Sequence, residues 1–165
     1  MPDRPPFEMF VTLRKLDKAG LTEIVRWNVA GIRILVVDDH AVIRSGLRKF
    51  LMVNRDLEPV GEATDKVQAL RMAGAFKPDV ILMDLMMPNM DGITATREIR
   101  QMHPHTQVLV LTSYSETTLV HGALQAGAIG YIQKNVTASE LGHAIRSAYA
   151  GRRTLSPEAA KAIST

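Results

Sequence analysis

The sequence predicts an α/β fold, a doubly wound parallel sheet covered by helices on both faces. From Ile32 onward, short β-branched runs alternate five times with longer segments whose apolar residues recur every three or four positions. Three of the runs are continuously apolar, which is typical of strands buried on both faces of a parallel sheet. Five consecutive strand–helix units therefore favour one domain over residues 32–150 with a five-stranded sheet.

The elements follow one another in a regular order. We predict strands at Ile32–Val37, Glu58–Ala63, Asp79–Met83, Gln107–Leu111 and Ile129–Ile132. The predicted helices are His40–Met52, Thr64–Ala75, Ile93–Met102, Glu116–Ala126 and Thr137–Ala150. The second and fifth runs are less apolar than the others, so we expect them nearer the edges of the sheet.

Two segments lie outside this alternation. Residues 1–31 form an N-terminal extension of uncertain structure, whose apolar residues follow an irregular helical pattern: Leu13, Leu16, Ile24 and Trp27. A helix packed on the domain, a dimerisation element and a poorly ordered leader all stay open for it. Residues 151–165 predict a turn and then a short helix that begins after Ser156, with Pro157 in its first position.

Composition excludes several classes of protein. The 165 residues are 46% hydrophobic and 22% charged, which fits one soluble domain with short appendages. The chain has no cysteine, so disulfides and thiolate metal sites are excluded. No apolar run reaches the roughly 20 residues that cross a bilayer. The net charge of +3 comes from interspersed acids and bases, which does not indicate a nucleic-acid surface. We expect a cytoplasmic protein without membrane contact.

Polar side chains follow the predicted strands at the points where these end. Asp38 and Asp39 follow the first strand, Asp84 the third, Thr112 the fourth and Lys134 the fifth. Ligands of open parallel sheets bind outside the carboxyl ends of the strands. The sequence therefore predicts one site that combines these five side chains.

The residue types at this site favour phosphoryl transfer to an aspartate. Three converging carboxylates repel one another, and Mg²⁺ is the natural compensating ion for a site of few carboxylates. One carboxylate can then act as a nucleophile towards phosphorus. Lys134 and Thr112 supply a cation and a hydrogen-bond donor for the charge that develops on the phosphoryl oxygens.

The chain resembles the receiver domains of two-component response regulators over about Ile32 to Ala150. The motifs that carry the resemblance occur in order: Val36-Val37-Asp38-Asp39, Met83-Asp84-Leu85-Met86-Met87-Pro88, Asp91-Gly92, Leu111-Thr112 and Gly130-Tyr131-Ile132-Gln133-Lys134. A single acid pair is a weak signal, whereas an ordered set of independent motifs is a specific one. The resemblance implies a flavodoxin-like (βα)5 fold with strand order 2-1-3-4-5.

The resemblance also implies roles for individual residues. Asp84 is then the phosphoacceptor, and a sensor histidine kinase is the phosphodonor. Mg²⁺ is held by Asp38, Asp39, Asp84 and the backbone carbonyl of Met86. Thr112 and Lys134 contact the phosphoryl group. Thr112 and Tyr131 form the conformational switch, and receivers of this type commonly form homodimers.

Further details resemble the NarL/FixJ branch, which ends in a helix-turn-helix DNA-binding domain. His40 follows the acid pair directly, and Asn135 follows Lys134. The tail that begins at Gly151 is similar to that branch's linker. We therefore expect residues 151–165 to lead towards a missing output domain, through which alone the protein would bind DNA.

Other interpretations of the same residues are open. Asp38 and Asp39 could serve simply as caps of the following helix, and Tyr131 could serve simply as a packed aromatic side chain. An Mg²⁺-dependent phosphohydrolase is the rival enzyme, but Leu85 and Met86 stand where its second acid is needed. The chain lacks the glycine-rich loop that a nucleotide-binding module needs. A stand-alone receiver differs from the main interpretation only in its output. We expect a switch that assists its own phosphorylation and dephosphorylation, not an enzyme.

Overall fold

The computed structural model describes residues 12–16, 20–24, 31–88 and 91–164. Its main feature is a parallel six-stranded sheet. The strands are β3 (Ile32–Val37), β4 (Leu57–Ala63), β5 (Val80–Met83), β6 (Gln107–Thr112), β7 (Gly130–Gln133) and β8 (Thr154–Leu155). Across the sheet they lie in the order β4-β3-β5-β6-β7-β8. The first five of them reproduce the expected order 2-1-3-4-5 and confirm the doubly wound fold.

Helices connect the strands and cover both faces of the sheet. They are α1 (Ala41–Val53), α2 (Lys66–Phe76), α3 (Gly92–Met102), α4 (Thr117–Gln125), α5 (Ala138–Tyr149) and α6 (Pro157–Ile163). Five of the six begin and end within two residues of the predicted bounds. Within the part of the chain that the structure describes, no helix has the length and apolarity that a bilayer crossing needs.

The core is divided by the sheet because successive strand residues point to opposite faces. On β3, Ile34 and Val36 pack towards α1 and α5, with Leu51 and Ile145 as their helical partners. The alternate residue Leu35 joins the cluster formed with α2 and α3. This burial on both faces explains why the central strands are continuously apolar.

Strand β4 is an edge strand, as its weaker apolar pattern predicted. Its Pro59 lies where the pairing register with β3 shifts between Ile34 and Leu35. Proline removes a backbone donor and is therefore confined to edges and irregular positions. The other weak run, β7, is one strand in from the edge because the short strand β8 pairs with it.

The N-terminal extension does not follow the helical pattern where the structure describes it. Thr12–Leu16 (β1) and Gly20–Ile24 (β2) are antiparallel strands, with Thr12 opposite Ile24 and Leu16 opposite Gly20. Backbone pairing between the two segments prevails over a spacing of apolar residues that was too irregular to specify a helix. Trp27 lies outside the described residues.

One glycine brings helix α3 close to the loop that follows β5. A Cβ atom on Gly92 would lie 2.5 Å from the carbonyl oxygen of Asp84 and closer still to the Cα of Leu85. Both neighbours are backbone atoms and cannot rotate away. Gly92 therefore holds the start of α3 directly under the acid at the end of β5.

We expect Gly92→Ala to lower the free energy of unfolding by about 1–3 kcal/mol, because the added methyl group must displace backbone. Urea denaturation measures the change. Gly46→Ala on α1 is the matched control, since its Cβ meets no atom within 4 Å. That variant should be neutral or more stable, because alanine favours helix over glycine. Equal losses in both variants would contradict the close approach.

Candidate functional site

Two buried carboxylates lie side by side at the carboxyl ends of neighbouring strands. The backbone N–H of Asp38 donates to the carbonyl of Ala63 at 3.0 Å, and that of Asp84 donates to the carbonyl of Val37 at 2.9 Å. These bonds continue the sheet beyond its strands and fix both residues. Asp38 is 3% exposed and Asp84 2% exposed. Charged side chains are seldom buried to this extent unless they are paired.

Lys134 pairs with both of these carboxylates. Its Nζ lies 2.7 Å from Oδ2 of Asp38 and 3.2 Å from Oδ2 of Asp84. Burial alone would lower the pKa of Lys134, but the hydrogen bond to Asp38 and the charge of Asp84 outweigh it and raise the pKa above 10.5. Lys134 is therefore a fixed cation between two strand ends.

Thr112 ends β6, the strand next to β5, and its side chain is fully buried. Its carbonyl accepts a bond from the N–H of Lys134 at 2.9 Å, which ties the two residues together. Its hydroxyl has no hydrogen-bond partner among the described residues. A buried hydroxyl without a partner is costly. The hydroxyl of Thr112 is therefore a candidate donor to a bound group.

Asp39 and His40 complete a cluster of metal-ligating groups. One ligand atom from each of Asp38, Asp39, His40 and Asp84 lies within 4.8 Å of the others. Asp39 is the more accessible acid, with 29% of its side chain exposed. Carboxylate oxygens this close together suit Mg²⁺, which also keeps several waters in such sites. The donor set therefore fits the expected ion.

The backbone of Met86 lies beside the same acid. Its N–H donates to Oδ1 of Asp84 at 3.3 Å, so the loop after β5 turns back over the carboxylate. A cleft of about 400 Å³ adjoins the cluster and gives access from solvent. Its lining residues are Asp39, Thr64, Asp65, Lys66, Val67, Pro88 and Asp91.

Tyr131 lies on β7 with its side chain fully buried. Its hydroxyl donates to the carbonyl oxygen of Tyr114 at 2.5 Å. Burial, together with the negative charges of Glu116 and Asp84, raises the pKa of Tyr131 above its ordinary value. The ring is therefore a neutral donor, directed inward against α4.

The structure brings together the residues that the sequence predicted, and it adds others. His40 was noted only as a mark of the branch, yet its Nδ1 lies 2.9 Å from Asp38 and 3.1 Å from Asp39. Arg44 donates to the backbone carbonyl of Asp38 at 2.8 Å. The position of His40 directly after two acids was the sequence signal from which its place in the cluster could have been predicted. Arg44 carried no signal, because its contact is to backbone.

Comparison with known proteins agrees with this geometry. The family described as response regulator receiver domain matches residues 34–146. The response regulator protein VraR of Staphylococcus epidermidis is 42% identical over 127 residues, which are 77% of this chain and 61% of that protein. The chain thus spans less than two thirds of this relative's length.

Solved structures give the same result. A two-component response regulator of the LuxR family from Aurantimonas sp. has a TM-score of 0.77 at 37% identity. The match covers 82% of this chain and 96% of that one. The receiver domain of the response regulator NarL from Mycobacterium tuberculosis has a TM-score of 0.71 at 36% identity, over 74% of this chain and 99% of that one. The chain belongs to the response regulator receiver domain family, and these relatives confirm its likeness to the NarL/FixJ branch.

Proposed function

We propose that this receiver accepts a phosphoryl group on Asp84 from a phosphohistidine of a sensor histidine kinase, with Mg²⁺ bound beside it. The observation that carries the proposal is the unpartnered hydroxyl of Thr112, buried at the end of the strand next to Asp84. Lys134 contacts the same acid from the next strand. Structural packing alone does not account for a buried donor left free beside a buried nucleophile.

The side chains have separate parts in the transfer. An oxygen of Asp84 attacks phosphorus, the bond from phosphorus to the donor nitrogen breaks, and the imidazole leaves with its electron pair and takes up a proton. Asp38, Asp39, Asp84 and the carbonyl of Met86 would hold Mg²⁺, which offsets the negative charge that otherwise repels phosphate. Lys134 and Thr112 then hold the phosphoryl oxygens.

This chemistry makes the protein a phosphoacceptor switch and not a hydrolase with a separate substrate. Leu85 and Met86 follow Asp84, so neither of the two positions after the nucleophile carries the second acid that a phosphohydrolase needs to protonate its leaving group. Release of phosphate then depends on water that reaches the acyl phosphate. The phosphorylated state can persist and serve as a signal.

We further propose that phosphorylation changes homodimer or partner contacts in the cytoplasm. The switch would involve Thr112 and Tyr131. The hydroxyl of Thr112 has no partner among the described residues, and Tyr131 holds the loop after β6 through its hydrogen bond to the carbonyl of Tyr114. A relative from Bacillus subtilis that is named transcriptional regulatory protein LiaR supports control of transcription as the output. DNA binding would then belong to a separate helix-turn-helix output domain.

Intact mass spectrometry tests the first step. The chain is incubated with Mg²⁺ and phosphoramidate, a small donor that removes the need for the cognate kinase. We expect a gain of one phosphoryl group, and omission of Mg²⁺ should prevent it. No gain under either condition would mean that the acidic cluster is not a working acceptor.

Thr112→Val separates the function of the hydroxyl from its role in folding. The hydroxyl has no partner to lose, so we expect the free energy of unfolding to stay the same or to rise by about 1 kcal/mol. Phosphorylation by phosphoramidate should slow by roughly 100-fold, as for loss of one preorganised donor. Urea denaturation and timed intact-mass measurements give the two values.

Thr106→Val is the matched control. This threonine is also buried, but its hydroxyl donates to the carbonyl of Pro78 at 2.9 Å. Its loss should therefore cost about 1 kcal/mol of stability and leave the phosphorylation rate unchanged. Slower phosphorylation in Thr106→Val than in Thr112→Val would show that the Thr112 hydroxyl does not contact the phosphoryl group.

A further inference from the structure

The last described part of the chain binds to the backbone of Tyr131. Thr154–Ile163, here called the C-terminal segment, consists of β8 and α6. In the ladder between β7 and β8, Leu155 lies opposite Tyr131. The N–H of Ser156 donates to the carbonyl of Tyr131 at 2.9 Å. The segment thus extends the sheet at the strand that carries the expected switch residue.

Helix α6 packs its small residues against α4. Ala159 is fully buried and Ala162 is 8% exposed. They share one apolar cluster with residues of α4, β6 and β7 and with the loop after β5: Leu85, Val110, Val120, Ala123, Ala128 and Tyr131. A helix of seven residues is too short to be stable by itself in water. Its order therefore depends on this docking.

The same cluster reaches the acceptor. Leu85 follows Asp84 directly and is 1% exposed within the cluster that contains Tyr131 and Ala159. A second connection runs through hydrogen bonds, from Tyr131 to the carbonyl of Tyr114, two residues after Thr112. One apolar cluster thus joins α6 to the residue next to Asp84, and a hydrogen bond joins Tyr131 to the loop that follows Thr112. Networks of this kind can carry coupling between two sites.

We propose that α4 and β7 form a docking surface for the C-terminal segment, and that phosphorylation of Asp84 strengthens this docking. A phosphoryl group that engages Thr112 restrains the loop carrying Tyr114 and keeps Tyr131 inward. The inward ring supports α6, and its removal from the cluster would take contacts away from Ala159. The sign of the coupling is therefore positive, and the coupling rests on the proposed function for its phosphorylation step.

The proposal has a reciprocal consequence. If phosphorylation stabilises the docked segment, a docked segment must favour phosphorylation by the same factor. Couplings of this kind amount to about 5- to 150-fold. Any part of the protein that follows the C-terminal segment would then be held in one position in the phosphorylated state and be freer in the other.

Hydrogen exchange on the whole chain tests the coupling. Amide exchange in Thr154–Ile163 is measured with Mg²⁺ before and after treatment with phosphoramidate, and intact mass of the same sample reports phosphorylation. We expect exchange in the segment to slow by at least about fivefold when the mass shows phosphorylation. Unchanged or faster exchange with a full mass gain would overturn the coupling alone. Absence of a mass gain would overturn the proposed function and this inference with it.

Two alanines of the same helix provide matched variants. Ala159→Glu places a charge in the cluster and should speed exchange in the segment and abolish the slowing that phosphorylation causes there. Ala160→Glu makes the same change on the exposed side of α6 and should alter neither. Equal slowing of exchange by phosphorylation in the two variants would contradict the coupling. The exchange measurement on the wild type decides the matter even if Ala159→Glu does not fold.

Discussion

Asp84→Asn is expected to abolish the gain of one phosphoryl group that the wild-type chain shows with Mg²⁺ and phosphoramidate. The amide is a far weaker nucleophile than the carboxylate, and the variant also loses one metal ligand. Folding should not suffer, because the change removes one of three mutually repelling acids and leaves an oxygen that can accept from Lys134. Intact mass, read alongside the urea unfolding curve, measures both effects.

Asp65→Asn is the control for this experiment. Asp65 lines the same cleft, and its side chain caps α2 by accepting from the N–H of Gln68 at 2.8 Å. Asparagine is an equally good cap, so stability should be retained. Phosphorylation should proceed as in the wild type. A mass gain in Asp84→Asn would show that another carboxylate, such as Asp39, is the acceptor.

The sequence could predict that these side chains lie together because each of them follows or ends a strand. Val80–Met83 is buried throughout, and so is Val108–Thr112 within β6. Runs of this kind are readable without any tertiary information. Because the sheet is parallel, Asp84 and Thr112 must lie at the same end of the strands, whatever the details of packing. The same reasoning placed Lys134, whose pairing with Asp38 and Asp84 follows from the strand order.

The parts that the sequence did not predict depend on contacts with little local pattern. Strand β8 has only two residues, too few for any period to show, and pairing with β7 alone defines it. Helix α6 was predicted from Ser156 and Pro157, which cap and start it. Its docking on α4 was not predicted, because Ala159 and Ala162 are small residues that are common on any helix surface. The linker interpretation of residues 151–165 stays a prediction, although the described part packs on the domain.

Lys134→Met should have the largest effect on stability among single changes in the site. Methionine keeps the length of the side chain but removes the cation that lies 2.7 Å from Asp38 and 3.2 Å from Asp84. Two buried carboxylates then face each other without that cation. In the absence of Mg²⁺ we expect the free energy of unfolding to fall by about 1–3 kcal/mol. Urea denaturation with and without Mg²⁺ measures this effect.

Mg²⁺ and pH make the prediction specific. A bound divalent cation offsets the same carboxylates, so excess Mg²⁺ should reduce the stability deficit of Lys134→Met, whereas Lys134→Arg should show little deficit in either condition. Because the pKa of Lys134 in the folded state lies above 10.5, its contribution should be complete below that pH. It should be lost only as the pH rises through the raised value. A deficit that Mg²⁺ leaves unchanged would show that Lys134 acts through packing and not through its charge. In that case the acidic cluster would need another source of compensation before phosphate could approach Asp84.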